Sequence, residues 1–534
     1  MNNENRNLIL ALVLMTAVWF GFSILFPAKP PQPAQNAPAP AAAAPQPAAA
    51  IEPPPASVPA AAPVAPVIAT AREIVVETAR YRAVLSTVGA RLVSMELKDY
   101  RVSTAADAGS VPLVKSPSTR YATLRTTGGD GLVLHADAPF AVDAADRSIA
   151  VPAGGERRLT FRHVTAGGAE IVKELTFYGD RYTIDSAVTV RNSSPAPLHG
   201  SLNMAMAQQW DDSHKDSYSF AGPAALVGDK LEQVDVDDLG KGAKGFGKEV
   251  VWSSLQSKYF MTAAVPLAAA AEKLQIVLNG DVLESIFVTP AFALQPGESR
   301  RFDYLLFFGP KDPDLLKAAG HGLDLAINFG WFDLLAQPLF LVLTFFNGFL
   351  NNFGWSIILL TVILKLFFWP LTHKSYASMK AMQKLQPEMQ KLRDKFKNDK
   401  ERLNRELMEL YKKHSVNPLG GCLPMLVQIP VFFALYKVLL EAIALRHAPF
   451  MLWITDLSAK DPYYITPLLM GASMFVQQKM TPTSMDPMQA KIFLFMPVIF
   501  TFLFLNFPSG LVIYWLVNNL LTIAQQYYIN RTLT

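Results

Sequence analysis

The chain has 534 residues, of which 51% are hydrophobic and only 17% charged, with a mean hydropathy of +0.21. That balance describes a membrane protein that also carries a large soluble part. A net charge of +4 singles out no polyanionic partner, so no nucleic-acid specificity is expected, and the lone Cys422 excludes an internal disulfide.

The chain begins with an apolar run from Leu8 to Phe26, long enough to cross a hydrocarbon core. The run exceeds a usual signal core, and Pro27 to Pro31 make a poor cleavage site, so residues 1–27 are expected to be a retained signal-anchor helix with a cytoplasmic N-terminus. Residues 28–67 are almost wholly Pro, Ala and Gln, a composition that cannot bury a core and forms an extended linker. From 68 to 318 the character changes to short alternating runs such as Ala169-Glu-Ile-Val-Lys-Glu-Leu-Thr-Phe, separated by Gly-rich turns. These predict half-buried strands in one large periplasmic antiparallel β-sandwich.

Two motifs in this domain resemble chemistry and fail on inspection. Gly242-Ala-Lys-Gly-Phe-Gly247-Lys248 has phosphate-loop spacing, but Glu249 stands where Ser or Thr should reach magnesium, so a flexible Gly/Lys loop is expected. The cluster Asp211, Asp212, His214 and Asp216 matches no calcium or zinc spacing and reads as a solvated loop. No cofactor, metal site or catalytic residue is expected, and the protein is read as not an enzyme. Residues 319–350 follow as an amphipathic, aromatic-rich helix suited to the outer membrane interface, with Trp331, Phe332 and Leu335 among Asp333 and Gln337.

Residues 351–534 hold five apolar segments: Asn351 to Pro370, Leu419 to Leu440, Pro462 to Gln478, Ile492 to Phe507 and Ser509 to Tyr527. With the anchor they make six transmembrane helices. Twelve Lys and Arg between Lys374 and Lys413 place that connection in the cytoplasm, and Arg6 and Arg531 put both termini there too. Within 371–416, Met379, Met382, Leu385, Met389, Leu392 and Phe396 recur at helical spacing, as do Leu403, Leu407 and Leu410. Two amphipathic helices broken at Lys397-Asn-Asp399 form a cytoplasmic helical hairpin.

Inside the apolar segments lies a costly polar set. The last segment shows Trp515, Asn518, Asn519, Thr522, Gln525 and Gln526 on one face, and Lys365 lies one turn beyond Thr361 in the first. Gln428, Phe432 and Tyr436 repeat every four residues in the second. A hydrated groove between three helices accommodates them, with Lys365 its charge and Gln428, Asn518, Asn519, Thr522 and Gln525 its polar lining.

The runs Asn417-Pro-Leu-Gly-Gly-Cys422-Leu-Pro, Asp461-Pro-Tyr-Tyr, Asp486-Pro-Met-Gln, Phe495-Met-Pro-Val-Ile-Phe500 and Phe507-Pro-Ser-Gly-Leu511 resemble those of the YidC insertase family of Gram-negative bacteria. The resemblance covers nearly the whole chain and is tightest over 351–530. It implies an inner-membrane insertase and chaperone, acting alone or with the Sec translocon on nascent membrane proteins among lipids. It implies a groove open to cytoplasm and lipid, with Thr361, Ile429, Phe432 and Trp515 contacting the substrate. The family's groove charge is usually arginine, and Lys365 stands in its place. Ribosome or signal recognition particle machinery would engage the hairpin. Two other classes compete: a secondary transporter, against which no internal repeat of 351–440 is found, and a membrane-anchored carbohydrate-binding or sugar-active protein, which the sandwich alone could suggest.

Overall fold

The computed structural model describes residues 71–116, 122–211, 219–268, 270–397, 399–414, 423–481 and 487–532, with side chains at 400, 423–426 and 487–493 left aside. The expected anchor (1–27) and linker (28–67), Cys422, most of the Asn417 run, Asp486, and Asp212, His214 and Asp216 lie outside the described residues.

Strands from Glu73 to Pro310 build three sheets around one continuous core. The largest has nine strands, with Ser299–Pro310, Thr183–Asn192, Ala169–Tyr178 and Glu156–Val164 adjacent and antiparallel. Its register follows the side-chain alternation: Ala169, Ile171, Leu175 and Phe177 point inward and are buried, while Glu170, Val172 and Glu174 face out. Among the described residues the second sheet has five strands and the third six, and one strand pair, Glu73–Glu77 with Ser148–Ala150, is parallel where the others are antiparallel. The run resembling a phosphate loop is no free loop. Lys244–Phe246 forms an edge strand against Lys273–Asn279, with no helix after it to present amides to a phosphate.

Strict alternation also carries a lysine inward. Lys173 is 1% exposed, and its ammonium donates to the Leu124 carbonyl and to Thr126 Oγ1 at 3.3 Å. Burial pushes its pKa down to about 7. The unfolded chain holds this proton up to about pH 10.4, so between those values it binds more protons than the folded chain, and stability rises with pH at up to about 1.4 kcal/mol per unit. Thermal unfolding of the full chain in detergent should therefore show a positive pH slope from about 7 upward, which Lys173→Met flattens. An unchanged slope in the variant would assign the dependence elsewhere.

Among the described residues, nine α-helices run from Asp333 onward: α1 (Asp333–Leu350), α2 (Phe353–Phe367), α3 (Trp369–Lys384), α4 (Gln386–Lys395), α5 (Lys400–Lys413), α6 (Leu423–Glu441), α7 (Ile465–Met480), α8 (Pro487–Phe504) and α9 (Ser509–Thr532). Asn352 caps α2 by accepting from the Trp355 amide at 3.2 Å and ties it to the Phe450 carbonyl at 2.9 Å. The helix ends at Phe367, earlier than the expected Pro370. Pro370, tolerated only in a first turn, sits at the start of α3, and the two axes bend by 60°. Among the described residues one helical stretch, Gly330–Leu350, is by itself long and apolar enough to cross a membrane, and the bent pair α2–α3 passes together.

The hairpin differs in detail from its sequence reading. Pro387 breaks the first expected helix into α3 and α4, and Asp399 caps α5 by accepting from the Arg402 amide at 3.0 Å. Packing of α6 on α1, α1 on α2, α2 on α9, α9 on α7 and α7 on α8 makes an arc. Two glycines permit its closest approaches: a Cβ at Gly354 would stand 2.0 Å from the Phe450 ring, and one at Gly471 1.9 Å from Thr501 Oγ1.

The loop between α6 and α7 binds sandwich and helices together. Ile443 is buried in the sandwich core, and the Arg446 guanidinium donates to the Arg101 carbonyl at 2.6 Å over the Phe260 ring. The same loop receives the α8–α9 turn, as the Ser509 and Gly510 amides donate to the carbonyls of Ala459 at 2.7 Å and Leu457 at 2.9 Å. The sandwich therefore sits at the end of the arc that carries the α8–α9 turn, whereas α3 leaves from the C-terminal end of α2 and joins α4 and α5.

Candidate functional site

The arc encloses an open cavity of about 510 Å³. Its first wall is polar. Lys365 on α2 donates to Thr522 Oγ1 on α9 at 2.7 Å, and the Thr522 hydroxyl donates to the Asn518 carbonyl at 2.6 Å. Gln428 of α6 donates to Asn518 Oδ1 at 3.2 Å, so three helices meet at one turn of α9. The facing wall is apolar and soft, made by Ile429 and Phe432 of α6, Met474 of α7, and Met496 and Phe500 of α8. The apolar wall is thus shared between α6 and α8, with Met474 of α7 between them in sequence.

Toward the sandwich the cavity is closed by aromatic rings. Trp515 meets Phe432 edge-on at 4.5 Å and Phe504 at 5.2 Å, and Phe507 lies 5.0 Å from Phe504 and 6.1 Å from Tyr436. At the opposite end Thr372, Ser375, Tyr376 and Met379 of α3 and Thr481 beyond α7 form the rim.

Of the residues singled out by sequence, Lys365, Gln428, Ile429, Phe432, Trp515, Asn518, Asn519 and Thr522 line this cavity. Thr361 does not. Its hydroxyl donates back to the Ile357 carbonyl at 2.6 Å, and it borders a side cleft of about 10 Å³ beside Lys365, Gln428 and Tyr514, room for about one water. Gln525 is not in the lining either; it is 3% exposed, packed within the helices, because α9 turns that part of its polar face away from the cavity. Asn519 faces α7 as well, donating to Ser473 Oγ at 3.1 Å, and Gln526 donates to the Met480 carbonyl at 2.5 Å. The polar stripe thus divides between cavity and helix packing. Sequence reading missed Gln477 and Gln478 of α7 and the α3 residues Tyr376 and Met379; the adjacent glutamines near the end of an apolar segment were the available signal.

An apolar helical arc with a polar-walled cavity, joined to a β-sandwich head, defines an integral membrane protein. The chain matches the family described as YidC periplasmic domain over residues 73–342 and that described as 60Kd inner membrane protein over 345–534. It is 46% identical over 537 residues to the membrane protein insertase YidC of Geobacter metallireducens, covering 99% of both chains. It is 45% identical over 531 residues to that of Geotalea daltonii, again with 99% of both covered. A solved structure described as an active YidC insertase with the first transmembrane domain resolved is 21% identical. That match covers 86% of this chain and 92% of the other, at a TM-score of 0.37.

The chain belongs to the YidC family. It is a membrane protein insertase of the bacterial inner membrane, with a periplasmic domain of β-sandwich form, acting on membrane proteins among lipids.

Proposed function

We propose that insertion runs through this cavity, working as a hydrophilic groove open to the cytoplasm and, between α6 and α8, to lipid. The observation that carries the reading is the Lys365–Thr522–Asn518–Gln428 wall, a charged and hydrogen-bonded set inside otherwise apolar helices. A polar substrate segment entering there keeps solvation that plain hydrocarbon would strip from it, while its apolar helix leaves past Ile429, Phe432 and Trp515. Release to lipid is downhill by roughly 0.8 kcal/mol per CH₂.

Six spans with both termini inside follow from the basic residues of the hairpin together with Arg6 and Arg531. Helix α2 has 15 residues and covers only about 22 Å at 1.5 Å per residue. Such a short span suits a bilayer thinned beside the groove. Helix α1, with Leu334, Leu341 and Phe349 exposed and Trp331 exposed in the turn before it, lies along the outer interface. The protein works alone or beside the Sec translocon, and α4 and α5 offer ribosome or signal recognition machinery a basic, amphipathic surface. Its role is to move and fold chains, with no catalytic step.

Cysteines placed along α9 test the groove. Positions 518 and 522, which line the cavity, should react with a water-soluble reagent added from the cytoplasmic side, whereas 512 and 513, which are buried outside its lining, should not. A photo-crosslinker at Trp515 should capture a nascent helix. Dry positions 518 and 522, or crosslinks confined to the sandwich, would overturn the path.

A further inference from the structure

We propose that Thr522 is a positioning residue that holds the Lys365 ammonium inside the cavity, an inference that rests on the groove reading. The Thr522 hydroxyl has one hydrogen, and the Asn518 carbonyl one turn back on α9 takes it at 2.6 Å. Its oxygen is then free only to accept, and Lys365 Nζ donates to it at 2.7 Å. The direction of both bonds is therefore set by the local geometry of α9. Gln428 holds the same turn from a third helix through Asn518 Oδ1.

The tether matters because nothing stronger replaces it. No Asp or Glu lines the cavity among the described residues, so no ion pair pins the ammonium there. Lys365 lies two residues from the end of α2, and its four-carbon stem is long enough to carry the charge out to the interface. A single hydrogen bond to a neutral hydroxyl biases the side chain inward, yet a substrate carboxylate, which bonds an ammonium more strongly, can displace it. An arginine at this position would need the tether less, because its planar fork carries five donors. The serviceability of lysine as groove charge thus depends on a hydroxyl at position 522.

The test compares initial insertion rates, in proteoliposomes, of two single-span substrates that differ only in an acidic or a neutral polar tail. Thr522→Val should lower the acidic-to-neutral rate ratio about tenfold, the scale of losing one hydrogen bond to a charged group, while Thr522→Ser keeps it. In a Lys365→Arg background Thr522→Val should leave the ratio near that of Lys365→Arg alone. An equal loss for both substrates indicates a packing defect and overturns the proposal, as does a loss that Thr522→Ser shares or that persists with arginine. Lys365→Leu separates the two readings. If it leaves the ratio at the wild-type value, the groove charge itself is refuted; if it collapses the ratio while Thr522→Val does not, only the positioning role is.

Discussion

Lys365→Leu should cut insertion of a single-span substrate with an acidic tail at least tenfold in proteoliposomes, while a neutral-tailed substrate is slowed much less. The ammonium is the one charge in the cavity lining among the described residues. At about 4 Å from a carboxylate it contributes about 1 kcal/mol in bulk water and about 4 kcal/mol at an effective dielectric of 20. A cavity open at one end lies between these limits, and tenfold corresponds to about 1.4 kcal/mol. The attraction acts before the apolar helix reaches lipid, so the loss should appear in the initial rate. Raising salt toward 1 M, where the screening length is about 3 Å, should shrink the wild-type advantage for acidic tails. Lys365→Arg should retain most activity. Equal rates for wild type and Lys365→Leu with the acidic substrate would remove this residue from the mechanism.

The second large effect is expected far from the cavity. Asp461 is fully buried, and its carboxylate accepts from the Thr466 amide and hydroxyl, each at 2.7 Å, the Tyr463 amide at 2.9 Å and Trp453 Nε1 at 3.1 Å. It also stands ahead of the first turn of α7, where a negative charge is favoured. Asp461→Ala strands four donors and should cost about 3 kcal/mol or more locally. The consequence spreads because Leu457 and Ala459, just before it, seat the first amides of α9. Hydrogen exchange of the full protein in detergent should show lost protection at the start of α7 and in the α8–α9 turn. The closed end of the cavity should loosen in step, lowering insertion of acidic and neutral substrates alike. Protection equal to wild type in both segments would show that Asp461 is not the knot described.

Much of the architecture is legible in local pattern. The two-residue alternation of Ala169–Tyr178 predicts a strand with one face inward, and the same alternation places Lys173 on that face. That Lys173 is sealed from water depends on Leu124 and Thr126, some 47 residues or more away in sequence. The hairpin shows the reverse weighting: its apolar periodicity is strong, but Pro387 decides where the helices break.

The site divides along the same line. Lys365, Gln428 and the polar stripe of α9 are visible in sequence because charge and amides inside apolar runs are costly and stand out. Which of them face one another is invisible there, since helical period gives a face but not the neighbour that covers it. Asn518 and Thr522 meet Lys365, while Gln525 is packed away and Gln526 binds α7. Tyr376, Met379, Gln477 and Gln478 joined the rim only when α3 and α7 were brought to it.

Composition and periodicity alone thus determined the membrane class, the sandwich and the presence of a polar set within apolar helices, because these follow from the solvent each segment must meet. Tertiary structure decided which of those side chains share a cavity, which rings close its end and which hydroxyl receives the ammonium, because those depend on contacts between residues far apart in sequence, 157 positions for Lys365 and Thr522.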